Sequence, residues 1–166
     1  MKSIATLQKK ANSAVKKAWV ALGIPFDVPT MDEKVEGIID VEALIMTALL
    51  LMEQDRMATD LPAWLSRFSG LVNYQKLKTM FNAMPDHHRS AILEKLSQSP
   101  FRGAPKSIRN IFSLEPASEA VSKTVQMRAR KLNTIENVAQ ASLMMRNRLQ
   151  YGTGFRADVI ALTHVK

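Results

Sequence analysis

The chain has no cysteine. That absence excludes disulfide frameworks, thiolate metal sites and cysteine nucleophiles together, and it suits a reducing compartment. Histidine is nearly missing: His87, His88 and His164 are the only three. Adjacent histidines at a helix start point about 100° apart, so His87 and His88 lack the spacing of a shared metal pair. Aromatic residues make up 6% of the chain. The longest apolar run, from Ala43 to Met52, is about half of what a membrane span needs, and the lysines of the first seventeen residues rule out a secretory leader. No phosphate-binding glycine loop, dinucleotide fingerprint or nucleophile elbow occurs. Gly152-Thr153-Gly154 follows a helical pattern rather than a strand, which fits a helix C-terminal cap. The sequence therefore presents no catalytic site, no cofactor, no small-molecule substrate and no membrane partner, and it fits a cytoplasmic protein.

What is present is ordinary globular material: 166 residues, 46% apolar and 23% charged, enough for a self-sufficient core. Charge is unevenly spread. The first 26 residues hold five lysines and no acid, residues 27–60 hold nine acids against two bases, and residues 61–166 hold sixteen bases against six acids. Two readings fit this pattern: a surface for a polyanion, or charge pairing between packed helices. Asp32, Glu33, Glu36, Asp40 and Glu42 form the only carboxylate cluster, which would make an acid/base pair or a metal site only if the fold brought them together.

Apolar spacing predicts an all-α fold, an irregular bundle of about seven helices with no sheet. Ile4, Leu7, Ala11, Ala14, Val15, Ala18, Trp19 and Leu22 form one stripe, opened by Ser3 and closed by Gly23 and Pro25. The segment 25–29 reads as extended or turned, and 31–37 as irregular or a short helix. The run from Val41 is apolar all round, as in a central helix, with Asp40 as its cap. Further helices are expected from Leu61, with Asp60 as cap and Pro62 in the first turn, from Asn73 and from Asp86. Residues 97–106 (SQSPFRGAPK) read as a linker. A short helix near 107–113 precedes a long element over 117–150, breakable at Asn133-Thr134. The resulting division is a bundle over 1–96, the linker, a long helix or helix pair over 107–151, and a last piece over 152–166. The ten methionines read as core filler.

Basic side chains are the main functional candidates. Arg102, Lys106, Arg109, Arg128, Arg130, Lys131, Arg146, Arg148 and Arg156 could contact duplex phosphates if they project from one face. Only Phe101, Phe112, Tyr151 and Phe155 are placed to stack on bases, which disfavours single strands.

Two stretches carry a resemblance. Residues 43–85, with Gln54-Asp55-Arg56-Met57, Trp64-Leu65 and Val72-Asn73 leading to Leu77, and residues 146–162 (RNRLQYGTGFRADVIAL), resemble the helical N-terminal region and domain junction of bacterial winged helix-turn-helix regulator-like proteins. The match covers under half of the chain. It implies a DNA-associated role in transcription regulation, with Lys166 falling inside the first helix of the reader domain and the recognition helix beyond it. The residues at hand would then support, orient or dimerise, and Val159, Ile160 and Leu162 would form an apolar stripe that invites self-association as a homo-oligomer. The competing expectation is a protein–protein interaction or homodimerisation module that binds no nucleic acid.

Overall fold

The computed structural model describes residues 4–24, 39–51, 57–132, 138 and 142–163. Among them the fold is all-α, with no strand. In chain order the helices are α1 (Ile4–Ala21), α2 (Val41–Leu51), α3 (Met57–Phe68), α4 (Tyr74–Asn82), α5 (Asp86–Ser97), α6 (Lys106–Ile111), α7 (Glu119–Ala129), α8 (Leu143–Tyr151) and α9 (Phe155–Thr163). Two 3₁₀ turns, Ser69–Leu71 and Pro100–Gly103, sit between them.

The core forms around α2 and α3. In α2, Val41, Leu44, Ile45, Met46, Ala48 and Leu49 are all buried, as an unstriped apolar helix requires. Asp40 caps it, accepting a hydrogen bond from the Ala43 amide at 3.1 Å. Trp64 of α3 meets Trp19 of α1 edge-on at 5.4 Å, and its ring N–H donates to the Leu22 carbonyl at 2.9 Å. These contacts tie the C-terminal end of α1 to the bundle. Leu7 is 54% exposed, and Ala11 and Ala14 are exposed with it, so the expected inward stripe holds for Val15, Trp19 and Leu22 and fails before them.

Several boundaries differ from the sequence reading. Helix α3 begins at Met57, so Asp60 is no cap; it lies in the fourth helical position, fully buried. Pro62 is correspondingly the sixth residue, where it withholds the amide that would bond the Ala58 carbonyl. Asn73, expected as the first residue of its helix, is instead the cap of α4, accepting from the Lys76 amide at 3.0 Å. The segment 97–106 is no tether. Ser99 caps the second 3₁₀ turn, Phe101 and Ala104 are buried, and Phe101 and Phe81 both stack edge-on against Phe112. One core cluster runs from Val15 through Phe101, Ala104 and Val125 to Val138 and Met145, so residues 97–106 are packed into it. The long element ends early, with α7 stopping at Ala129. The Ser3 cap, the segments 25–29 and 31–37, Gln54, Asp55, Arg56 and the break at Asn133-Thr134 lie outside the described residues.

Helices α8 and α9 form a hairpin turned at Gly152, whose φ of 82° and ψ of 172° belong to a region that only glycine enters freely. No described helix is long and apolar enough to cross a membrane.

Candidate functional site

Glu42 is the one charged residue inside the apolar helix α2, and it is fully buried. A carboxylate there is tolerable only if it is paired and hydrogen-bonded. Its partner is Arg148 of α8, also fully buried. The guanidinium donates through Nη1 to Glu42 Oε1 at 2.7 Å and through Nη2 to Oε2 at 2.9 Å, a two-pronged match of planar groups. The same guanidinium reaches Asp158 of α9 through Nε at 3.0 Å and Nη2 at 3.1 Å, and the Leu71 carbonyl through Nη1 at 2.8 Å. Glu42 also accepts from the Asn73 amide at 2.7 Å. One arginine thus joins α2, the first 3₁₀ turn, α8 and α9.

The network continues outward. Lys76 of α4 donates to Asp40 at 2.7 Å and lies 3.5 Å from Glu42. Burial opposes the charge on Arg148, but its bonds and proximity to Glu42 and Asp158 outweigh that cost, and its pKa is raised. Burial likewise works against ionisation of Asp40; the Lys76 bond, the Ala43 amide and the positive charges of Lys76 and Arg148 prevail and lower its pKa. Lys76 is held above its ordinary value by the reciprocal contacts, despite desolvation.

A second ion pair links α3 to α7. Arg128 donates through Nε to Oδ1 of the buried Asp60 and through Nη2 to Oδ2 at 3.3 Å. The Asp60 bond, working against partial burial, raises the arginine pKa. Beside it, Arg67 of α3 donates to the Ala129 carbonyl at 2.9 Å, at the end of α7. Arg130 and Lys131 come next in sequence and are exposed. Arg67, Arg128, Arg130 and Lys131 thus stand at or beside the end of α7, and of these Arg128 pairs with the buried Asp60.

These contacts redistribute the nine candidate cations. Arg148 is removed from the set: a fully buried guanidinium spent on two carboxylates and a carbonyl offers no donor to a phosphate. Arg128 is committed to Asp60. Arg102 donates to the Glu115 and Pro116 carbonyls, and Arg109 to the Ala104 carbonyl, so both fasten loops. Lys106, Arg130, Lys131 and Arg146 remain exposed. Arg156 lies in α9, with its side chain outside the described residues. Of the candidate stacking rings, Phe101 and Phe112 are buried and out of reach, while Tyr151 is half exposed.

Neither Asp40 nor Glu42 faces a metal-like cluster. They meet Lys76 and Arg148 instead, and no group of three metal-ligating side chains occurs among the described residues. Asp32, Glu33 and Glu36 lie outside those residues. Sequence reasoning missed the Glu42–Arg148–Asp158 clasp. Its signal was visible, because a lone acid in an otherwise apolar helix demands a buried cation somewhere in the chain. Fold and site together define an all-helical protein closed by a buried arginine. Compared with family models, curated proteins and solved structures, the chain matches none.

Proposed function

We propose that this is a non-catalytic helical domain of a DNA-associated protein, akin to bacterial transcription regulators, with a sequence-independent affinity for duplex phosphates. The observation that carries the reading is the cationic end of α7. Arg67 bonds the Ala129 carbonyl there, Arg130 and Lys131 follow in sequence, and among the described residues the one carboxylate bonded in the group, Asp60, is already matched by Arg128. A helix C-terminus draws cations for its own dipole, but Arg67 already occupies the Ala129 carbonyl, and Arg130 and Lys131, exposed and in no ion pair among the described residues, are placed to face a polyanion. Among the described residues, Lys106, Arg130, Lys131 and Arg146 are the candidate cations left exposed.

A second reading is self-association through the α8–α9 hairpin, favoured by Leu149, Tyr151 and Leu162, which are 43%, 49% and 64% exposed. One set of measurements separates the two. Fluorescence anisotropy with a long duplex should give binding that weakens steeply with salt. The Arg130→Gln/Lys131→Gln double variant should lower affinity and reduce the log–log salt slope by about 2, roughly one for each phosphate that is no longer neutralised. Absence of binding at low salt removes the DNA reading. In that case a concentration-dependent mass near twice 18.6 kDa, abolished by Leu162→Glu, supports the dimer.

A further inference from the structure

Between α2, α3, α5 and the second 3₁₀ turn lies a cavity of about 230 Å³. Leu49, Met57, Leu61, Leu96 and Phe101 supply its apolar wall, and among the described residues Lys95 is the one charged side chain that lines it. We propose that this cavity binds a short-chain amphipathic carboxylate, with the alkyl chain in the pocket and the carboxylate on Lys95. The proposal is independent of the DNA reading.

Size selects the chain length. A sealed apolar cavity of about 150 Å³ takes a six-carbon ring, so this volume takes on the order of eight or nine carbons. Drug-sized ligands occupy roughly 300 Å³ or more, and the pocket is too small for them.

Charge selects the head group. The Lys95 amine donates to the Leu50 carbonyl at 3.2 Å, which leaves two of its three N–H donors for a ligand. Ser99, also on the lining, is already spent: its hydroxyl donates to the Leu96 carbonyl at 3.3 Å and accepts from the Phe101 amide at 3.1 Å. Lys95 is itself exposed, so it stands where the cavity meets solvent, and a carboxylate placed there keeps part of its hydration while its chain is buried. That division of polar head and apolar body is what an amphipathic acid needs.

Octanoate is the probe, and methionine-methyl NMR of the full chain is the readout, since Met57 lines the cavity while Met144 and Met145 lie in α8. Titration should move the Met57 methyl saturably and leave those of Met144 and Met145 in place. Lys95→Met should weaken octanoate by about tenfold and leave octanol unchanged. Ala58 also lines the cavity, and Ala58→Phe should fill it and abolish both. The unmoved Met144 and Met145 methyls report whether each variant is folded; should Ala58→Phe fail that check, Ala58→Leu replaces it. No saturable Met57 shift, octanoate binding indifferent to Lys95→Met, or a Met57 shift that survives filling of the cavity each overturns the proposal.

Discussion

Arg148 is the residue on which most of the interior electrostatics turns. Truncating it leaves Glu42 buried, with Lys76 at 3.5 Å as the nearest cation. Breaking one side of such a pair costs about 3–5 kcal/mol, far more than the intact pair contributes over an apolar substitute. Arg148→Met should therefore lower the urea unfolding free energy by that amount. Adding Glu42→Gln should restore most of it, because the amide oxygen still accepts from Asn73 while the uncompensated charge is gone. Equal losses in the single and double variants would show that the charge itself is not what Arg148 serves.

The outer pair titrates in two directions. Asp40 has a lowered pKa, so its contribution is present above its ordinary value of 3.8 and fades as pH falls below it. Lys76 has a raised pKa, so its contribution is intact below 10.5 and fades as pH rises above that value. The difference in melting temperature between wild type and Lys76→Met should be level through neutral pH and shrink at both extremes. A difference unchanged from end to end would mean that the pair adds nothing to stability.

Among the elements, the junction of the second 3₁₀ turn with α7 is the closest fit. A Cβ on Gly103 would stand 2.8 Å from Val125 Cγ2, inside van der Waals contact. Gly103→Ala should destabilise the protein by about 1–3 kcal/mol through overpacking, and Val125→Ala, itself costly as a cavity, should make the glycine change nearly free. A thermal-denaturation double-mutant cycle measures that coupling. This is also the region where the sequence misleads most. Pro, Gly and Ser in 97–106 carry the composition of a linker, and composition does not reveal that Phe101 finds a pocket between distant helices. Local signals were legible: the all-α class, the Asp40 cap, a helix beginning near Asn73, the buried character of α2 and the glycine turn at 152 all follow from short-range chemistry. The misplaced cap at Asp60 and the mistaken phosphate role of Arg148 share one cause. Each is a charged residue whose partner lies 68 or 106 positions away, and helical periodicity reports a face, not what covers it.

On the scale of the whole molecule, the same long-range pairs make the two halves of the chain interdependent. Asp60–Arg128 fastens α3 to α7, and Glu42–Arg148–Asp158 fastens α2 to the terminal hairpin. The protein should accordingly unfold in one transition, with no separate melting of residues 142–163 when circular dichroism and tryptophan fluorescence are followed together. The linkage also bears on biosynthesis. At about 5–20 residues per second on the ribosome, the 106 positions between Glu42 and its cation take roughly 5–20 s to translate. Throughout that interval Glu42 lacks its two-pronged partner, and Lys76, 3.5 Å away in the fold, is the nearest cation already made. A chain that stalls before residue 148 should therefore be less stable than the full chain and should be cut faster in limited proteolysis.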